Sequence, residues 1–191
     1  MGCWQQGVFS CLMASHMLFL VYNFNPGKDA CGHFLFTFKT LSMKRLQYTI
    51  DIKAPAAKTA GVMLGKDTFK LWTSVFNPTS DFEGGWNKGD KIYFIGTGAD
   101  GRQAGMVAEI AEHIPGRFVS IRHYGIYDNG QEITEGPDVE KWAGGLENYT
   151  YEEKDGTTTV TVDVDVTEDN IDYFNSTYPK ALEKLKTLCE A

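Results

Sequence analysis

The sequence predicts one α+β domain, over about residues 43–191, in which an antiparallel sheet packs against a long C-terminal helix. Successive segments alternate apolar and polar residues and are separated by Gly, Pro, Asn and Asp, as in a meander of strands. The last twenty residues instead carry apolar residues at three- and four-residue spacing, as in an amphipathic helix. With 42% hydrophobic and 23% charged residues among 191, the chain has the ordinary composition of a globular protein.

Composition changes near Met43. Residues 1–42 hold three of the four cysteines, and their net charge of +1 leaves −8 for the rest of the chain, out of −7 in all. One interpretation is a targeting or membrane segment, since residues 7–24 are uncharged and largely apolar. We favour an N-terminal extension that is disordered, artificial or assigned from a wrong start. Residues 13–17 resemble a cloning scar, and no basic segment precedes the apolar run.

The domain is predicted to begin with a strand and two short helices. Residues 44–53 alternate with period two, which is typical of a half-buried strand. Ala54-Pro55 ends this strand and permits a helix over residues 56–64. A break at residues 65–67 follows, and Asp67 is expected to cap a second short helix that runs to about Trp72.

A run of strands comes next. After a short extended piece around Phe82, alternating or β-branched segments cover residues 91–95, 103–113, 118–127, 146–154 and 157–166. The last is the clearest, because four valines face one side and Thr and Asp residues face the other. Asp163 and Asp165 are on that second side, which we interpret as a solvated surface. Asp155-Gly156 predicts a tight hairpin turn before it. Consecutive strands of this kind indicate an antiparallel meander.

The chain is predicted to end in a helix capped by Thr167 or Asp169, with acidic residues in its first turn. Six apolar residues form one stripe along it: Ile171, Phe174, Tyr178, Leu182, Leu185 and Leu188. A stripe of this width must be buried, and the open face of the sheet is the available partner. Cys189, in the last turn, is expected to be a buried small apolar residue.

Several function classes are disfavoured. The acidic balance, with a pI of about 5.1, opposes binding to nucleic acid or to an anionic membrane. Residues 96–101 match Gly-x-Gly-x-x-Gly, but Asp100-Gly101 is a turn signal within the meander, so we interpret them as a turn. His113 and His123 have no Cys or His at ligand spacing. We therefore predict no metal, no cofactor, no catalytic residue and a cytoplasmic protein without a membrane span.

Particular residues add a resemblance to a known family. Trp72, residues 82–89 and residues 178–182 are the most telling, and residues 50–55, 115–121 and 147–150 are similar too. In this order they resemble the SRPBCC (START/Bet v-like) superfamily, within it the Hsp90-ATPase-activator-homologue-like branch. The resemblance implies the helix-grip fold, a curved antiparallel sheet wrapped around a long C-terminal helix. Residues 56–64 depart from the family, because they are small and interrupted by Gly61.

The resemblance also implies a cavity between sheet and helix. We expect it to bind an apolar or amphipathic small molecule or lipid without catalysis. The candidate lining residues are Trp72, Phe82, Trp86, Ile121, His123, Tyr149, Phe174 and Tyr178. His123 shares the apolar side of its strand, so it either orients a ligand or is an inward histidine bonded to Tyr or backbone. A chaperone-interaction module and a cyclase-like enzyme using His123 with a Tyr are the alternatives.

Overall fold

The structure is a computed structural model that describes residues 43–191, so the expectation for residues 1–42 lies outside the described residues. The elements are β1 (Lys44–Ile52), α1 (Ala56–Leu64), α2 (Lys66–Thr73), β2 (Asp81–Gly84), β3 (Lys91–Thr97), β4 (Gln103–Ile114), β5 (Phe118–Asp128), β6 (Gln131–Ile133), α3 (Pro137–Glu140), β7 (Leu146–Lys154), β8 (Thr157–Val166) and α4 (Ile171–Glu190). A 3₁₀ turn, Glu168–Asn170, precedes α4.

The strands form one antiparallel, curved sheet in the order β1-β8-β7-β5-β4-β3-β2, with β6 paired to β5. β1 pairs along its whole length with β8, from Lys44 opposite Val166 to Ile52 opposite Thr158. Two register shifts interrupt the pairing of β4 with β5, and such bulges bend a strand and increase its twist. The predicted α+β class and helix-grip fold are confirmed.

The inner face of the sheet packs on α4. Phe174, Tyr178, Leu182 and Leu185 are all buried, as the stripe predicts. The four valines of β8 are buried as well, and their alternation with less buried neighbours matches the period of two. Cys189 is also buried, as expected for the last turn. The helices α1 and α2 also pack on α4 and complete the core through Met63, Phe69 and other apolar residues.

The predicted cap of α2 is wrong, and the predicted cap of the C-terminal helix is correct only for the 3₁₀ turn before α4, whose N-cap residue is Thr167. Gly65 is the N-cap of α2, and Asp67 lies inside its first turn, because the single extended residue Gly65 both ends α1 and starts α2. Asn170 is the N-cap of α4, since the 3₁₀ turn inserts three residues after Thr167 and contains Asp169. No side-chain cap hydrogen bond forms at any of these three helix starts.

Two short elements add to the predicted order. β6 consists of three residues, all exposed, and α3 consists of four residues, so neither is long enough to show a hydrophobic period. The two predicted turns are confirmed. Asp155 and Gly156 have φ of 52° and 75°, and the N–H of Gly98 donates to the carbonyl of Arg102 at 2.8 Å between β3 and β4. Within residues 43–191, no helix has the length and apolar character needed to cross a membrane.

Candidate functional site

A cavity of about 100 Å³ lies between the inner face of the sheet and the two helices α2 and α4. Its wall is mostly apolar, and the phenylalanine and tryptophan residues in it are Phe69, Trp72, Phe76, Phe94, Trp142 and Phe174. A mostly apolar wall with a small number of polar groups is the usual composition of a small-molecule site. The cavity is therefore the candidate site.

Helix α2 positions the aromatic part of the wall. Trp72 is almost fully buried, and its indole N–H donates to the carbonyl of Met63 at 2.9 Å, which satisfies its polar atom within the core. Phe69 packs edge-on against Trp72, with 5.5 Å between ring centroids. Phe76, just after α2, packs edge-on against Tyr178 of α4 at 5.0 Å. The contact of Phe76 with Tyr178 thus packs the end of α2 against α4 beside the cavity.

Four side chains form a polar cluster in this wall: His123 of β5, Glu147 and Tyr149 of β7, and Tyr178 of α4. The Tyr149 hydroxyl donates to Oε1 of Glu147 at 2.6 Å, and the Tyr178 hydroxyl donates to the same oxygen. Nε2 of His123 lies 3.2 Å from Oε2 of Glu147. Only 14% of the His123 side chain and 16% of the Glu147 side chain are exposed, so the cluster is largely desolvated.

The carboxylate of Glu147 is the charge centre of the polar cluster. Burial on its own would raise the pKa of Glu147, but the hydrogen bond from His123, with those from the two tyrosine hydroxyls, lowers the pKa below its ordinary value. Burial, followed by the neighbouring charge of Glu147, raises the pKa of Tyr149 and of Tyr178 well above the ordinary value. Both phenols therefore stay protonated and act as donors to an ionised Glu147.

His123 has one satisfied and one unsatisfied ring nitrogen. An ionised carboxylate only accepts hydrogen bonds, so Nε2 of His123 is the donor to Glu147. Nδ1 is buried and has no hydrogen-bond partner among the described residues. The Phe94 ring lies 5.8 Å from the imidazole, centroid to centroid, and offers no polar atom. Nδ1 is thus an unused hydrogen-bonding atom in a residue of the cavity wall.

The structure brings together five of the eight predicted lining residues: Trp72, His123, Tyr149, Phe174 and Tyr178. Phe82 and Ile121 are buried in the core outside the lining, and Trp86 is half-buried beside Phe82 at 5.3 Å between ring centroids. Contact of any of these residues with a ligand stays a prediction.

Two carboxylates of the wall went unrecognised in the sequence. Glu147 has the same parity as Tyr149 and Tyr151 along its strand, and both tyrosines are buried, so the period of two was an available signal. The prediction that Asp165 is a solvated surface residue is wrong. Arg45 donates to both of its oxygens at 2.9 Å, the Leu146 N–H donates at 3.1 Å, and only 16% of its side chain is exposed. The partners of its carboxylate lie on β1 and β7, the two strands beside β8, and the local sequence around Asp165 carries no sign of them.

In the part of the chain that the structure describes, no group of three His, Cys, Asp or Glu side chains is close enough together to bind a metal ion. The chemistry open to the cavity is thus burial of an apolar molecule, hydrogen bonding through His123, and proton exchange within the polar cluster.

Several solved structures are similar in fold to this chain. The Aha1 dimer from Colwellia psychrerythraea is 24% identical, with a TM-score of 0.60, and the match covers 78% of this chain and 97% of that chain. Protein Ms6760 from Mycobacterium smegmatis is 18% identical, with a TM-score of 0.56, covering 78% and 90%. CalU16 from Micromonospora echinospora is 13% identical, with a TM-score of 0.53, covering 77% and 76%.

These likenesses show the fold. The helix-grip fold, which the resemblance to the SRPBCC superfamily implied, is confirmed. No protein-family model matches the chain, and no curated protein matches it.

Proposed function

We propose that this chain binds an apolar small molecule in the cavity between the sheet and α4. One observation carries the proposal: an aromatic wall encloses a space that is empty of side chains yet contains a desolvated polar cluster. A core that served stability alone would be filled, because cavities reduce stability and buried polar groups cost free energy unless paired. The fold adds support, since it is of the kind that binds small hydrophobic ligands.

The test is native mass spectrometry of the full chain after incubation with a library of aromatic compounds, steroids and lipids. We expect a 1:1 adduct with at least one compound. Val164→Phe places a ring in the cavity wall and is expected to abolish the adduct, because Val164 lines the cavity. Thr161→Phe is the matched control, since Thr161 lies on the opposite face of β8 and outside the lining.

Two results would contradict binding in this cavity. The first is a wild-type chain that forms no adduct with any library compound. The second is a folded Val164→Phe variant, checked by circular dichroism, that binds as the wild type does.

A cyclase-like acid/base enzyme is the second candidate, favoured by the imidazole and carboxylate that face one cavity 3.2 Å apart. A positioned imidazole is the commonest general acid/base group in enzymes. The same incubations test it, because turnover would convert a library compound into a new species in the supernatant. The chaperone-interaction alternative rests on the likeness of fold to Aha1, and fold alone is a weak basis for function.

A further inference from the structure

The charges around the cavity restrict which polar group a ligand can carry. Glu147 and Asp165 both lie in the wall, and the lining residues among the described part of the chain include no lysine or arginine. Asp165 is neutralised by Arg45 at the surface of the sheet, and the protons that face Glu147 come from His123 and two tyrosines. A carboxylate or phosphate on a ligand would meet two carboxylates and no free cation, so anionic ligands are disfavoured.

Within the polar cluster, one buried atom has no hydrogen-bond partner among the described residues, and it is Nδ1 of His123. Glu147 already accepts three hydrogen bonds, which come from the hydroxyls of Tyr149 and Tyr178 and from Nε2 of His123. In the neutral imidazole, Nδ1 then carries a lone pair, and it is buried without a donor. A buried acceptor of this kind is normally paired. Nδ1 has almost no accessible surface, so a ligand that donates a hydrogen bond to it would do so after a small rotation of the imidazole toward the cavity.

The size of the cavity restricts the ligand further. Its volume of about 100 Å³ is small beside the roughly 300–1,000 Å³ of pockets for drug-sized ligands. A dry, apolar protein cavity of about 150 Å³ takes up benzene. The space between sheet and α4 therefore suits a molecule of about one aromatic ring, and a long acyl chain or a sterol exceeds it.

We propose that the cavity selects an uncharged molecule of about one ring whose hydroxyl donates a hydrogen bond to Nδ1 of His123, and that it rejects carboxylates. This inference rests on the proposed binding function and names its ligand class. The aromatic wall around Trp72 and Phe94 receives the ring, and the polar cluster receives the hydroxyl.

Three probes of equal ring size test the inference by calorimetric titration of the full chain near pH 7.5: toluene, p-cresol and benzoate. One buried hydrogen bond corresponds to a factor of roughly ten in affinity, so p-cresol is expected to bind about tenfold tighter than toluene. Benzoate is expected to bind at least about tenfold more weakly than p-cresol, because its charge meets Glu147 without a partner.

His123→Phe keeps a ring in the wall and removes the Nδ1 acceptor. We expect it to erase the preference for p-cresol over toluene while toluene still binds. His113→Phe is the matched control, since His113 contacts the carbonyl of Trp86 and lies outside the lining. His123→Phe together with Glu147→Gln serves as a second variant if the single one does not fold, because it removes the carboxylate that would otherwise lose its partner.

The outcomes separate the two proposals. Equal binding of p-cresol and toluene, or tighter binding of benzoate, overturns the inference and leaves the binding function standing. The same holds if none of the three probes binds but a lipid or steroid from the library forms an adduct. Absence of every adduct, in the probes and in the library, overturns the binding function itself.

Discussion

At the scale of single residues, Glu147 links the cavity to the stability of the fold. Its pKa lies below the ordinary 4.5 in the folded protein, so the unfolded chain takes up a proton there more readily than the folded chain does. The stabilisation from the ionised side chain is therefore complete above about pH 4.5. It is lost as the pH falls through the lowered pKa of the folded state.

Replacement of this carboxylate tests that linkage. Glu147→Gln is expected to lower the free energy of unfolding by about 1–3 kcal/mol at pH 7, since it removes charge-assisted hydrogen bonds from a buried position. The difference from the wild type is expected to shrink as the pH falls from about 4.5 through the lowered pKa of folded Glu147, below which the wild-type carboxyl is neutral too. Urea unfolding of both proteins between pH 3 and 7 measures this.

The control for this prediction is Glu152→Gln on the same strand. Glu152 is exposed on the outer face of β7, so its replacement is expected to change stability by less than about 0.5 kcal/mol. A Glu147→Gln variant that matches Glu152→Gln at every pH would contradict the stabilising role of the polar cluster.

Residue-scale features of the site could be predicted only where a side chain follows the apolar face of its strand. His123 was found because it shares the side of Val119 and Ile121, both of which are buried. Glu147 escaped notice because a carboxylate in a strand is ordinarily solvated, and its three donors come from distant parts of the chain. Those long-range partners have no signature in local sequence.

At the scale of elements, the turn between β7 and β8 depends on its backbone more than on packing. Asp155 and Gly156 both have positive φ, as a type I′ hairpin requires. An added Cβ at Gly156 meets no atom within 4 Å, so any penalty for a side chain there is a conformational one. Gly61 in α1 has the same open space without positive φ.

Replacement of Gly156 and of Gly61 by alanine is expected to change the stability of the protein in opposite directions. Gly156→Ala is expected to destabilise the protein by roughly 1–2 kcal/mol, because alanine strains at positive φ. Gly61→Ala is expected to stabilise it by roughly 0.5–1 kcal/mol, because alanine loses less backbone entropy in a helix. Thermal unfolding followed by circular dichroism measures both changes, and equal signs would contradict the assignment of either element.

Most elements could be predicted because they are long enough to show a period. β8 and α4, with ten and twenty residues, repeat their patterns several times. β6 and α3 could not be predicted, since three or four residues show no period. The position of β6 depends on its pairing with β5, and that of α3 on the buried side chain of Val139. The starts of α2 and α4 depend on backbone geometry at Gly65 and Asn170 that no cap signal marked.

At the scale of the whole molecule, the strand order shows what periodicity leaves open. A simple meander would place β1 beside β2, whereas β1 pairs with β8 and lies at one edge of the sheet with β2 at the other. The period of each strand carries no information on its neighbour, so this arrangement was accessible only through the resemblance to the helix-grip family. The cavity likewise follows from the curvature of the sheet around α4, which no single segment determines.

Helix α4, the last element of the domain, packs on β1, the first element. We therefore expect this contact to control cooperative unfolding. Leu185 is fully buried in the main core, and Leu185→Ala is expected to lower the free energy of unfolding by roughly 2–5 kcal/mol through lost burial and a residual cavity. Leu71→Ala is the control on α2, because that side chain is 52% exposed and alanine favours a helix, so its effect is expected within about 0.5 kcal/mol.

The same pair of variants tests whether residues 43–191 unfold as one unit. Because α4 packs on β1, α1 and α2, loss of its packing is expected to destabilise the entire core rather than release the helix alone. Tryptophan fluorescence reports on all four tryptophans of the chain, of which Trp72, Trp86 and Trp142 lie in the described domain. Fluorescence and far-ultraviolet circular dichroism are expected to give coincident urea midpoints for the wild type and for Leu185→Ala. A helical signal lost at lower urea than the fluorescence signal would contradict a single cooperative unit, since it would show α4 leaving a sheet that stays folded.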